Sequence, residues 1–141
     1  MTQASMSRLR ESFRSLAPQF GDVVGRFYER LFAADPSTRE LFRIDMVTQA
    51  GHLSAALALI VRNLSMLDAL EGPLMELGAA HARVGVRPEH YPVACEALLA
   101  SIGEAAGGDW SAELSADWRA LLDRVAGQML AGTLPDESAA T

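Results

Sequence analysis

Between Phe20 and Phe32 the apolar residues fall at Phe20, Val23, Val24, Phe27, Tyr28, Leu31 and Phe32, an i, i+3, i+4 stripe that an α-helix places on one face. The same period recurs along the chain. Leu9, Phe13 and Leu16 mark a short first helix ended by Pro18, and Leu53, Leu57, Ile60 and Leu64 lie along a long helix from about Val47 to Leu64. A further helix opens at Pro73 and runs through Leu74, Leu77 and His81 until Gly85 breaks it. Pro88 starts another, carrying Tyr91, Ala94, Cys95, Leu98, Leu99 and Ile102 and ending at Gly107-Gly108. The last begins at Ser111 or Ser115 and turns Leu114, Trp118, Leu121, Leu122, Val125 and Met129 inward. Asp35 is placed to cap a short turn that begins at Pro36 and carries Leu41 and Phe42. No window alternates with period two over a strand's length, and no Asn-Gly or Asp-Gly hairpin signal occurs. The chain reads as all-α, with helices too unequal for a simple four-helix bundle.

Composition narrows the partners. The chain has 141 residues and a net charge of -6, with its basic residues scattered, which argues against a nucleic-acid surface or an anionic membrane. One globular domain is expected over residues 1–134, with the small, polar residues 135–141 as a disordered tail. Cys95 is the only cysteine, so no internal disulfide can form, as suits a reducing compartment. The N-terminus has no basic start or apolar run, and no stretch nears the roughly 18 apolar residues of a spanning helix. The expectation is a soluble cytoplasmic protein without nucleic-acid or membrane partners.

The residue with most chemistry is His81, an imidazole on an otherwise apolar helix face. Taken alone, it reads first as a boundary histidine bonded to a nearby carbonyl and second as the axial ligand of a haem iron. Three other positions bear on the choice. Phe42, on a short turn, offers a ring to stack on a flat macrocycle. Gln49 and Leu53 stand four apart, so one helix face presents a donor and an apolar wall. Tyr28 places a hydroxyl in an apolar stripe, and a buried phenol needs a partner. Singly, each has an ordinary structural explanation.

Their order along the chain resembles the bacterial single-domain globins related to flavohaemoglobin globin domains. The resemblance rests on Phe27-Tyr28-Glu29-Arg30-Leu31-Phe32, Leu41-Phe42, Gln49 to Leu53 and Leu77-Gly78-Ala79-Ala80-His81. It continues through Gly85-Val86, His90-Tyr91-Pro92, Leu98-Leu99 and Trp118, and covers about Leu9 to Met129. It implies a globin fold, a three-over-three helical sandwich, holding haem b. In that likeness His81 matches the proximal iron ligand and Phe42 the phenylalanine packed on the porphyrin. Tyr28, Gln49 and Leu53 match the distal tyrosine, glutamine and leucine. Tyr91 matches a proximal tyrosine, and Val86 and Leu57 match apolar pocket walls. His52 is left between a solvent-edge residue and a propionate contact, as is Arg83, and His90 is expected at the surface.

The resemblance implies reversible binding of oxygen, and of nitric oxide or carbon monoxide, at a five-coordinate iron. Nitric oxide dioxygenase activity with a separate reductase is the alternative, and a haem-based gas sensor a third reading. No Gly-rich dinucleotide fingerprint occurs in the chain. One departure weighs against strong oxygen activation. Flavohaemoglobins join the proximal histidine and tyrosine to a late glutamate, whereas here that stretch reads Ala131-Gly132-Thr133-Leu134. Plain ligand binding is therefore favoured.

Overall fold

In a computed structural model of the chain, residues 1–42 and 45–134 are described, and the expected tail at 135–141 lies outside them. Six α-helices dominate, and no strand occurs among the described residues. They are α1 (Gln3–Leu16), α2 (Phe20–Ala34), α3 (Met46–Arg62), α4 (Glu71–Arg83), α5 (His90–Ala106) and α6 (Ala112–Ala131). Short 3₁₀ turns occupy Ala17–Gln19, Pro36–Leu41, Leu64–Leu70 and Gly107–Asp109. No single helix among the described residues is long and apolar enough to cross a membrane.

Local chemistry accounts for most boundaries. Thr2, Asp45 and Ser111 each accept a backbone N–H three residues on, capping α1, α3 and α6. The helix expected from Pro73 begins at Glu71, because a proline in the first turn has no acceptor to deprive. The helix expected from Pro88 begins at His90, and Pro88 instead lends its carbonyl to the Tyr91 N–H in the turn before it. Leu64–Leu70 was not foreseen from periodicity. It buries Leu64 and Leu67 across a kink at Met66 (φ -133°), too irregular to leave a stripe.

The core gathers where α2 lies along α5 and α1 packs on α3 and α6. Leu9, Val23, Val24, Ile102, Trp118 and Leu121 are fully buried there. The Trp118 indole N–H donates to Ser12 Oγ at 3.1 Å, which relieves the one polar atom of that large ring. Beside it Arg8 Nε donates to Asp117 Oδ2 at 2.6 Å, tying α1 to α6. Across the other wall Arg30 donates to the buried Ser101 hydroxyl at 2.8 Å, and Arg26 and Arg30 both pair with Glu104.

The closest approach is between α4 and α6. A methyl group on Gly78 would overlap the Met129 backbone, and one on Gly132 would overlap that of Met75. The two glycines thus let the helices meet backbone to backbone. Gly78→Ala is expected to cost about 1–3 kcal/mol, lowering the thermal midpoint by roughly 3–10 °C. Gly25→Ala, whose Cβ meets open space in α2, should leave the midpoint unchanged or raise it. The Arg8 hydrogen bond is the main cause holding the Asp117 carboxyl below its ordinary range. A lowered folded pKa stabilises the fold above the unfolded value of about 3.9 and is lost as pH falls through the folded one. Asp117→Asn should therefore flatten the acid side of a midpoint-against-pH curve below about pH 4.

Candidate functional site

The turn after α2 is built by Asp35 and Pro36. Asp35 Oδ1 accepts the Ser37 N–H at 3.2 Å, and Pro36 takes the first position, where no donor is required. Thr38, fully buried, donates its hydroxyl back to the Asp35 carbonyl at 2.6 Å. The turn delivers Phe42 in an extended conformation against two aromatic rings. Phe42 meets Tyr28 edge-on with ring centres 5.2 Å apart, and Phe32 at 5.5 Å. Such tilted pairs fix ring orientation as well as burying area.

On α3, Gln49, Leu53, Leu57 and Ile60 share the face turned toward Tyr28, Phe42 and α4. Leu57 and Ile60 are buried; Gln49 and Leu53 are half-buried. Burial pushes the Tyr28 phenol pKa up, and Gln49 pulls it partly back, although the two approach without closing a hydrogen bond of ordinary geometry. The phenol therefore stays protonated at neutral pH and can donate.

His81 stands in the last turn of α4. Its Nδ1 lies 2.8 Å from the Leu77 carbonyl, which can only accept, so Nδ1 carries the proton and Nε2 keeps its lone pair. This is the arrangement in which a histidine ligates a metal through Nε2. Past α4, Gly85 adopts φ +106°, a left-handed value that favours glycine. The Val86 N–H returns to the His81 carbonyl at 3.0 Å, and the reversal brings Val86 to the same space as His81.

Together these groups line a cavity of about 340 Å³ with a mostly apolar wall. All eight residues singled out from the sequence border it: Tyr28, Phe42, Gln49, Leu53, Leu57, His81, Val86 and Tyr91. His52 is exposed yet borders it too, at its edge, while Arg83 is exposed and outside the wall.

His90 differs from expectation. It is 7% exposed rather than at the surface, and it forms part of the cavity wall. It faces Asp35, far away in sequence, and no local pattern announces that contact. Thr38 and Cys95 also line the cavity and were not singled out for it. Burial is the main cause raising the Cys95 thiol pKa, so this thiol stays protonated at neutral pH.

The Tyr91 hydroxyl is buried without a hydrogen-bond partner among the described residues, and burial pushes its pKa up. A buried donor left unsatisfied costs about 1–3 kcal/mol. Among the described residues Tyr91 makes no hydrogen bond to His81, whose Nδ1 is held by Leu77. A largely apolar slot, a histidine with a free Nε2, an aromatic ring and an orphaned phenol suit a flat, apolar, metal-bearing group with polar edges. The residues present fit a haem.

Phe42→Ala should remove the half-buried ring that Tyr28 and Phe32 clamp, at a cost below the about 3–5 kcal/mol of a fully buried phenylalanine, read by urea denaturation. Phe42→Leu should lose markedly less.

Comparison with known proteins shows likeness in sequence and in fold. The globin family model matches residues 25–129. A flavohemoprotein of Rhizobium meliloti is 30% identical over 121 residues, covering 84% of this chain and 30% of that protein. An uncharacterized globin-like protein of Aquifex aeolicus is 34% identical over 83 residues, covering 59% of this chain and 60% of its own length. The chain thus spans less than two thirds of these curated relatives. Among solved structures, an engineered carbene transferase from Rhodothermus marinus, made from a protein assigned as a nitric oxide dioxygenase, superposes with TM-score 0.83 at 26% identity. That match covers 94% of this chain and 93% of the other. A bacterial globin of Campylobacter jejuni matches in fold, with TM-score 0.81 at 19% identity and coverage of 94% and 96%.

Proposed function

The chain belongs to the globin family, and from that premise we propose that it holds haem b through His81 and binds oxygen or another diatomic gas reversibly. The observation that carries this reading is the His81 ring: Nδ1 engaged by the Leu77 carbonyl at 2.8 Å, Nε2 free, beside an apolar cavity. When bound, the haem supplies an iron whose open coordination position takes the gas and shifts electron density onto it. The chain's own residues do the rest. Phe42 packs on the ring, held in turn by Tyr28 and Phe32. Leu53, Leu57 and Val86 keep water out of the slot.

Tyr28 is the first donor to a gas with anionic character, and Gln49 the second or an intermediary to it. Both border the cavity, and Tyr28 keeps its proton because burial raises its pKa. A hydrogen bond to a partly charged acceptor is worth about 1.5–3 kcal/mol, which corresponds to roughly ten- to a hundredfold in escape rate. Carbon monoxide, less polar when held, gains less.

Nitric oxide dioxygenase activity is the second reading, favoured by the likeness to flavohemoproteins and to the Rhodothermus marinus structure. It requires electrons from a reductase outside these 141 residues. The proximal side favours plain binding. His81 has a neutral carbonyl as its Nδ1 partner, and Gly132 is backed by the Met75 backbone, which leaves no room there for a carboxylate side chain.

Purified protein should show an intense Soret band, and His81→Ala should weaken haem retention; a protein that takes up no added haemin contradicts the proposal. Tyr28→Phe is expected to raise the oxygen dissociation rate by roughly ten- to a hundredfold in stopped-flow, and an unchanged rate removes Tyr28 from the role.

A further inference from the structure

His90 is buried in the cavity wall and engaged on both sides of its ring. Nδ1 accepts the Arg87 backbone N–H at 2.9 Å, which places the ring proton on Nε2. Nε2 faces Asp35 Oδ2 at 3.9 Å, a directed electrostatic contact longer than a hydrogen bond. Asp35 divides its oxygens between two tasks. Oδ1 receives the Ser37 N–H and hydroxyl at 3.2 and 2.6 Å, and Oδ2 is the oxygen that faces His90. The Arg87 guanidinium turns to Glu89 at 3.4 Å. One imidazole therefore spans from the loop that follows His81 to the turn that delivers Phe42. Those two segments carry groups on which a haem would rest.

We propose that His90 is a positioning residue for haem, a strut that links two walls of the slot and slows haem escape. The proposal rests on the haem reading of the cavity. The strut needs an acceptor toward Arg87 and a donor toward Asp35. His90→Gln can supply both, His90→Phe neither. Asp35→Asn keeps an oxygen to cap the turn while removing the charge that faces Nε2.

The test is haem transfer from the holoprotein to excess apomyoglobin, followed by absorbance without denaturant. His90→Phe and Asp35→Asn should each transfer haem about three- to tenfold faster, with His90→Gln nearer the parent rate. The double variant His90→Phe/Asp35→Asn should be no faster than the quicker single variant, because the two changes break one link. Parent-like transfer in both single variants overturns the strut, and so do effects that multiply in the double variant. A residue serving the fold alone would lower the holoprotein's urea midpoint and leave transfer at the parent rate, which also overturns it. A parent protein without a Soret band defeats the haem reading itself, a separate outcome.

Discussion

The site depends on how closely α4 can approach α6. α4 is short and buries little apolar surface of its own; Leu74 is inside, while Leu77 is 36% exposed at the cavity edge. Side chains alone would hold it at ordinary interhelical distance, about 8–10 Å between axes. Gly78 against Met129 and Gly132 against Met75 remove that spacing at two points about one turn apart along the pair. With the backbones in contact, α4 cannot slide or roll without a clash. His81, one turn beyond Gly78, is therefore held by helix packing rather than by a loop.

What surrounds His81 is unequal on its two sides. Toward α2 and α3 the cavity has a phenol and an amide, Tyr28 and Gln49, among leucines and phenylalanines. Around the ring itself the Nδ1 partner is one backbone carbonyl. A few donors in an apolar chamber act strongly because nothing screens them. A neutral carbonyl orients the imidazole without adding charge to it. The balance suits holding a gas by hydrogen bonding more than cleaving it by electron donation. Tyr91 stays outside this scheme: its buried hydroxyl has no hydrogen-bond partner among the described residues.

The helices were legible because their apolar residues recur with helical period and several ends carry Asp35, Ser111 and Gly85 at positions where local chemistry acts. His81, Phe42, Gln49, Leu53 and Tyr28 stood out by residue type and spacing, Leu57, Val86 and Tyr91 only through the family resemblance, and the structure brings all eight around one cavity. The misses were non-local. His90 is buried and faces Asp35, a contact that no window of sequence contains. Gly78 and Gly132 matter through backbones more than fifty residues apart, and as residue types they could equally have been helix weakeners. The Leu64–Leu70 turn has no period to detect. Tyr91 was matched to a proximal tyrosine from likeness alone, and the His81 Nδ1 is held instead by the Leu77 carbonyl, present at i−4 in any helix.

The central claim is that His81 Nε2 bonds an iron while Leu77 holds Nδ1. Resonance Raman spectroscopy of the ferrous, gas-free holoprotein reads that bond directly, through the iron–histidine stretching band. The account predicts the band in the parent protein, its loss in His81→Ala, and its return when imidazole is added to that variant. It also predicts that Tyr91→Phe leaves the band where it was. A band that survives His81→Ala unchanged, or a haem-loaded parent without one, would contradict the account.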